Sequence, residues 1–316
     1  MRSVQQSRTS LLTARPLLVF VMLAFVLSWG VWVPAGLMAP DAGMSVFMLG
    51  AFGPAVAAAV MVRTGGGGLR AWVRDMAVFR VGLRWYLAVL AVTLVQPAVV
   101  SVVAVAAGLP LAFGELPVRV PVFLAAVVVV LLVGGGQEEP GWRGYMLPRL
   151  QSRMSPLAAS VVVGVVWAVW HLPLFVLGFA DYADRSFLLY LPVLIGFAVV
   201  LTWLYNATHG SVVLAMLLHA GFNASRTLVA VPQTAEFGTR LEVLAQAALA
   251  VAMLVLAAGL VAVYGTRLRA RALDPEVTGD NVGDSAATAP PQTGERRGAA
   301  TGDRGDIVAS RVGDER

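Results

Sequence analysis

The chain has 316 residues, of which 58% are hydrophobic and 13% are charged, whereas charged residues make up about 25% of a soluble globular chain. It contains no cysteine, which excludes zinc sites with cysteine ligands, thiol nucleophiles and disulfides. The net charge of +5 comes from arginines that lie mostly in short loops between apolar segments. Membrane topology explains that pattern better than nucleic-acid binding does. The composition predicts an integral membrane protein that binds no nucleic acid.

Long apolar segments follow one another along the chain. A membrane-spanning helix needs about 20 mainly apolar residues, and lipid offers no partners to backbone groups, so such segments are expected to be helical. The first one is longer than the roughly 7–15 apolar residues of a signal peptide, so we expect it to be retained. The sequence predicts an all-α, polytopic membrane protein with about eight transmembrane helices. The predicted helices cover residues 16–38, 46–62, 86–108, 119–137, 157–178, 187–206, 211–231 and 243–264.

The arginines divide unevenly between the two sides of the membrane that this helix count defines. With the N-terminus inside, fourteen arginines of the loops and flanks fall on the cytoplasmic side and four fall outside. Because positive residues accumulate in cytoplasmic loops, this distribution predicts cytoplasmic N- and C-termini and a location in the plasma membrane. The four outside are Arg119, Arg185, Arg226 and Arg240.

The composition also divides the chain into five parts. A cytoplasmic segment (1–15) precedes the N-terminal transmembrane helices (16–118), a transmembrane core with buried polar residues (119–231), and a last helix with its basic flank (232–272). The remaining residues, 273–316, are rich in Gly, Asp, Ala, Thr and Pro and have no apolar periodicity. Such a segment cannot bury enough surface to offset its ordering entropy, which predicts a disordered cytoplasmic tail.

Two adjacent carboxylates, Glu138 and Glu139, follow the fourth apolar segment. Neighbours on a helix point about 100° apart, so one carboxylate would face a cavity while the other pairs elsewhere. Glu139 and Arg143 have the i, i+4 spacing of a favourable ion pair. Pro140 and Gly141 are expected to kink or end the helix. The alternative is a solvated acidic pair at a helix end in the membrane interface.

Two histidines lie inside the later apolar segments. His171 is followed by Pro173, which loosens the local hydrogen-bond ladder and opens space near the imidazole. His219 and Asn223 are i and i+4, so they project from one helix face. Each could simply bond to a carbonyl or to a neighbouring helix. In a catalytic cavity, the His219 and Asn223 pair could instead hold a metal, a water or an oxyanion.

Together these clusters predict one buried reaction site between helices. Ionisable groups at membrane depth are costly and are rarely kept without a function. Glu138 follows the fourth predicted helix, and His171 and His219 lie on the fifth and the seventh. A bent fourth helix could bring them to a similar depth.

The order of the three polar motifs resembles the CAAX prenyl endopeptidase and bacteriocin-processing (CPBP) family, also called abortive-infection-like. The resemblance covers roughly residues 120–230 and implies an intramembrane endopeptidase. One departure is a tryptophan where phenylalanine is often found, which keeps an aromatic ring in that position. The motifs are Glu138-Glu139-x-x-x-Arg143, Trp167-x-x-x-His171 and His219-x-x-x-Asn223.

The resemblance assigns roles to these residues. It implies that Glu138 is the general base that activates a water, assisted by His171. His219 and Asn223 would bind the metal that carries this water, or would stabilise the tetrahedral oxyanion. The implied substrate is a peptide or a membrane protein in the lipid bilayer.

The resemblance leaves both a metal-dependent and a glutamate-type reaction open, with Glu139 and Arg143 as supporting groups. His171, His219 and one glutamate form a credible donor set for Zn²⁺ with an open fourth position. If Glu138 were the third ligand, it could not also serve freely as the base, and the role of Glu139 would need to be reconsidered.

Two other classes of protein compete with the peptidase. A proton-coupled transporter also uses buried Glu, His and Arg residues as relays. Inverted repeats with matching broken helices would favour it, and the sequence shows none. A non-catalytic immunity or scaffold protein would keep the fold without turnover, although intact motifs argue against it.

Overall fold

The computed structural model describes residues 15–38, 43–179, 182–232, 234 and 238–268. The chain divides into two units, residues 1–271 and 272–316, and every described residue belongs to the first unit. The predicted disordered tail and all but the last residue of the predicted N-terminal segment lie outside the described residues.

Apolar α-helices dominate the described part of the chain, which contains no β-strand. Six helical segments there are long and apolar enough to cross a membrane, which confirms the predicted all-α, polytopic membrane protein. Two shorter apolar segments, Met48–Thr64 and Val212–Leu228, coincide with two further predicted helices. The count of eight spans, the plasma membrane and the cytoplasmic termini stay predictions. The six long segments are Pro16–Met38, Leu83–Ala106, Phe113–Gln151, Pro156–Val176, Phe187–Ala207 and Thr239–Tyr264.

Several of these segments consist of more than one helix. The α-helices are α1 (Pro16–Met38), α2 (Gly43–Gly50), α3 (Gly53–Thr64), α4 (Leu69–Met76), α5 (Leu83–Thr93), α6 (Val95–Ala106), α7 (Leu116–Val133), α8 (Glu139–Gly141), α9 (Leu147–Gln151), α10 (Pro156–Trp170), α11 (Leu172–Val176), α12 (Phe187–Ala207), α13 (Val212–Ala224) and α14 (Thr239–Tyr264). Tighter 3-10 turns cover Phe113–Glu115, Gly136–Glu138 and Ser225–Leu228, and a π-helical turn covers Trp142–Met146.

The fourth predicted helix is broken just before its carboxylates. α7 ends at Val133, a 3-10 turn carries Glu138, and α8 begins at Glu139. Pro140 lies in the first turn of α8. Backbone N–H groups in a first turn have no partner within the helix, so the missing N–H of proline costs no hydrogen bond there. The chain therefore continues through the π-helical turn into α9 instead of ending at the proline. This break redirects the chain between α7 and the carboxylates.

The interior is built around α12, which packs against α10 on one side and α14 on the other. α13 packs against α5 and α7, while α1 packs against α3. Four tryptophans fill the space between these helices, and each is at most 1% exposed. Two of them contact a carboxylate, since the indole N–H groups of Trp142 and Trp167 donate to Glu138. The four are Trp32, Trp142, Trp167 and Trp170.

The helical segment that carries the carboxylates has an outward-facing side. In its most apolar stretch only 11% of the residues are buried, against 61% for Phe187–Ala207. Leu124, Val128 and Leu132 of α7 are 58%, 58% and 60% exposed. In a bilayer this side of α7 contacts acyl chains, while its C-terminal continuation turns into the protein.

A short helix, α4, connects α3 to α5 and was not predicted, because eight residues are too few for a membrane span. It follows the glycine run Thr64–Gly68, which the sequence indicates is a flexible turn rather than a phosphate loop. In the structure this run ends α3, since the Gly67 N–H donates to Val62 O at 2.9 Å. α4 starts directly afterwards at Leu69.

Candidate active site

The two adjacent carboxylates are both buried and point to different partners. Glu138 is 2% exposed and Glu139 is 0% exposed. Glu138 Oε2 accepts hydrogen bonds from Trp167 Nε1 at 2.7 Å and from Trp142 Nε1 at 3.3 Å. Among the described residues these are its two hydrogen bonds, so Oε1 is left for another ligand.

Glu139 lies in a buried charged network behind Glu138. Arg143 Nη1 lies 3.0 Å from Glu139 Oε1 and 2.9 Å from Oε2, which is the ion pair that the i, i+4 spacing indicates. The guanidinium also lies 4.9 Å from the centre of the Trp167 ring. His219 Nδ1 lies 2.8 Å from Glu139 Oε1. A carboxylate oxygen of this kind accepts, so the imidazole donates and its ring orientation is fixed.

His171 lies at the junction of α10 and α11, where Pro173 in the first turn of α11 interrupts the ladder. Its Nδ1 lies 2.9 Å from Trp167 O, and a carbonyl can only accept, so the ring donates through Nδ1. The rings of Trp170 and Tyr190 lie 4.7 and 5.4 Å from it, centre to centre. Both site histidines therefore use Nδ1 for support and keep Nε2 for chemistry.

Asn223 is exposed, one turn beyond His219 on α13, and its Nδ2 donates to Gly134 O at 3.1 Å. The next residue, Gly135, has a φ of 143°, a backbone conformation that side chains rarely allow. A Cβ there would lie 2.7 Å from both Asn223 Nδ2 and His219 Nε2. After the break that follows α7, the backbone of Gly135 therefore packs directly against the side chains of His219 and Asn223.

A cavity of about 300 Å³ collects the predicted site residues. Glu138, His171, His219 and Asn223 line it, whereas Glu139 and Arg143 are not among its lining residues. The structure thus brings four predicted residues to one space and leaves the two predicted supporting groups behind them. Further lining residues include Tyr182, Arg185, Tyr190, Arg226 and Glu242.

Sequence reasoning missed three residues of this site. It interpreted Trp167 as an aromatic ring equivalent to phenylalanine, but the indole N–H is a hydrogen-bond donor to Glu138. Trp142 stands four residues after Glu138, and this spacing was the available signal for its bond. Gly135 gave no signal beyond belonging to a run of three glycines.

The predicted zinc site requires three donor side chains in one place. Among the described residues, no group of three or more His, Cys, Asp or Glu side chains has an arrangement that could hold a metal ion. In this arrangement the described residues do not provide a three-donor metal set. Zinc binding stays a prediction.

Comparisons with known proteins agree with the geometry. Residues 120–225 match the family model described as Type II CAAX prenyl endopeptidase Rce1-like. Over 106 residues the chain is 33% identical to a protein named CAAX prenyl protease 2 of Methanococcus maripaludis. The alignment covers 30% of this chain and 38% of that relative, so the chain matches well under two thirds of the relative's length. The matched segment spans every predicted site residue. Residues 120–225 are therefore similar to the CAAX prenyl endopeptidase family, and this similarity confirms the predicted resemblance to the CPBP proteins.

Proposed function

We propose that this protein is an intramembrane endopeptidase that hydrolyses a peptide bond with a water activated by Glu138. One observation carries the proposal: a buried carboxylate, two buried histidines and an amide line a single cavity within the segment that matches the family. The proposed substrate is a peptide or membrane protein held in the bilayer, since the cavity lies among membrane-spanning helices.

In the proposed reaction, Glu138 takes a proton from the water through its free oxygen, Oε1. The water oxygen then attacks the carbonyl carbon of the peptide. His171 Nε2 helps to orient the water, because its Nδ1 is already committed to Trp167 O. General-base catalysis of this kind typically contributes about 10²–10⁴-fold in rate.

The tetrahedral intermediate carries a negatively charged oxygen that needs donors in place before the reaction. Asn223 supplies an amide N–H at the cavity, and His219 supplies Nε2–H when both of its ring nitrogens carry a proton. The Glu139 carboxylate behind His219 orients the ring through its 2.8 Å contact with Nδ1. The proton on Glu138 then passes to the amide nitrogen as the C–N bond breaks, which leaves a carboxylic acid and an amine.

Metal dependence is tested by measuring metal content and peptide cleavage on the same purified samples of wild type and His219→Ala. We expect cleavage without stoichiometric metal in the wild type, together with a large loss of activity in the variant. This outcome follows from an oxyanion role of His219. Stoichiometric zinc that disappears with activity in His219→Ala would contradict a glutamate-only reaction and identify a metallopeptidase.

Trp167→Phe tests whether the indole N–H positions Glu138. The change keeps the aromatic ring and removes the 2.7 Å hydrogen bond. A hydrogen bond to a charged group is worth about 1.5–3 kcal/mol, so kcat should fall by about tenfold or more while KM stays nearly constant. Steady-state cleavage kinetics measure both.

The matched control for Trp167→Phe is Trp203→Phe. Trp203 is 9% exposed, and within the described part of the chain its indole N–H has no hydrogen-bond partner. Its replacement should leave kcat unchanged. Equal kcat values for the two variants would show that the indole N–H of Trp167 has no catalytic effect.

A further inference from the structure

The loop between α3 and α5 carries a concentration of positive charge around α4. Between residues 63 and 84 the sequence contains one acidic residue, Asp75. Arg74 lies 3.5 Å from it, but 80% of the Arg74 side chain stays exposed. The loop therefore presents a net positive surface. Its exposed arginines are Arg63, Arg70, Arg74, Arg80 and Arg84.

α4 is also amphipathic, and only part of its apolar stripe is covered. Leu69, Trp72, Val73 and Met76 follow the i, i+3, i+4, i+7 spacing of one helix face. Trp72 and Met76 are half-buried against the protein. Leu69 and Val73 remain 39% and 54% exposed. The uncovered apolar side chains thus stand beside the arginines.

The position of α4 against the protein is fixed by contacts along the loop. Trp72 Nε1 donates to Gly144 O in the π-helical turn at 3.0 Å. Because Gly144 has no side chain, Met76 can approach closely; its Sδ is 2.4 Å from where a Cβ would stand. Beyond the helix, Ser211 Oγ donates to Val78 O at 2.6 Å. These contacts fix the orientation of α4, so that Leu69 and Val73 face away from the protein.

The neighbouring helices place this surface at the membrane boundary. α3 is an apolar helix that ends at Thr64, and a segment long enough to cross the membrane begins at Leu83. Phe79, in the same loop, is 58% exposed. Exposed Leu, Val and Phe side chains beside arginines suit the region where acyl chains meet headgroups. They do not suit a fully aqueous surface.

We propose that α4 and its flanks bind anionic phospholipid headgroups. Arg63, Arg70, Arg74 and Arg80 contact the phosphates, while Leu69, Val73 and Phe79 insert among the acyl chains. Positive side chains near an anionic membrane surface each contribute about 1 kcal/mol of attraction. Apolar insertion distinguishes this site from a purely electrostatic contact, and both parts are needed for an interfacial helix.

The test uses the full chain in nanodiscs that contain phosphatidylglycerol and phosphatidylcholine. Native mass spectrometry measures which lipid stays bound. The wild type should retain phosphatidylglycerol over phosphatidylcholine. The double variant Arg70→Gln/Arg74→Gln should weaken that preference by about fivefold for each arginine removed, the factor that corresponds to about 1 kcal/mol per charge. High salt should weaken it too, because exposed charges are screened.

Two further variants separate this site from general positive charge. Arg153→Gln/Arg267→Gln removes two exposed arginines outside α4 and should keep the preference for phosphatidylglycerol. Leu69→Ser/Val73→Ser keeps every charge but should lower the amount of phosphatidylglycerol retained. All variants replace exposed side chains, and thermal unfolding checks that each is folded.

The outcomes that overturn the proposal are distinct. If Arg70→Gln/Arg74→Gln and Arg153→Gln/Arg267→Gln lose the preference for phosphatidylglycerol equally, then overall charge, not α4, attracts the lipid. Equal retention of the two lipids by the wild type would show that no anionic site exists. Displacement of the lipid by excess inorganic phosphate would identify a free-anion site instead. Lipid binding is independent of hydrolysis, so Glu138→Gln protein should bind phosphatidylglycerol as the wild type does.

Discussion

Glu138→Gln should lower the rate of peptide cleavage by about 10²–10⁴-fold, the usual contribution of a general base. Glutamine has nearly the shape of glutamate and can still accept from Trp142 and Trp167 through its amide oxygen. It cannot take a proton from water at Oε1. The loss should therefore appear in kcat, while membrane insertion and substrate binding are retained.

The measurement is cleavage of a fluorogenic peptide by purified protein in vesicles, with membrane insertion checked by extraction. Asp75→Asn is the matched control, since it also neutralises one carboxylate, and 68% of that side chain is exposed outside the cavity. It should cleave at the wild-type rate. If Glu138→Gln keeps more than a tenth of that rate, then Glu138 is not the base, and Glu139 becomes the residue to test.

Gly135→Ala should have the second large effect, a loss of about 10²-fold in activity. The new methyl group would stand 2.7 Å from His219 Nε2 and Asn223 Nδ2, which is closer than side chains tolerate. Either the loop or the two side chains must move by several tenths of an ångström. Displacement of a catalytic group by about 1 Å can cost about 10²-fold in rate. Cleavage kinetics and thermal unfolding of the same sample measure the effect.

Gly108→Ala is the control that separates crowding from backbone strain. Gly108 has a φ of 95°, also in the region that favours glycine, but no atom lies within 4 Å of where its Cβ would stand. Both alanine variants should therefore lose some stability, and only Gly135→Ala should lose most of its activity. Equal activity in the two variants would show that crowding at Gly135 does not control the site.

The fold class, one ion pair and the family resemblance could be predicted from local patterns along the chain. The long apolar segments predicted the all-α membrane fold, because lipid offers no hydrogen-bond partners and a helix pairs its own backbone groups. The spacing of Glu139 and Arg143 indicated their ion pair. The order of the three polar motifs also gave the resemblance to a peptidase family.

The features that sequence did not predict depend on contacts between distant segments. Trp167 could be assigned a donor role only once α10 was known to face Glu138, 29 residues earlier in the chain. The close approach of Gly135 to His219 depends on where α7 breaks, and a run of glycines does not specify that. α4 is too short for its apolar periodicity to stand out against the long spans on either side.

The lipid-facing side of α7 changes how a substrate would reach the proposed peptidase. The segment that bears both carboxylates has protein neighbours on its inner side and exposed apolar side chains on much of its outer side. A substrate that is already in the bilayer would approach this outer side by displacing lipid, and it would enter the cavity past its exposed lining residues, Asn223 and Arg226. Its encounter with the enzyme is then diffusion in two dimensions. The relevant concentration is the number of substrate molecules per area of membrane, and the thickness and fluidity of the bilayer become properties that set the rate.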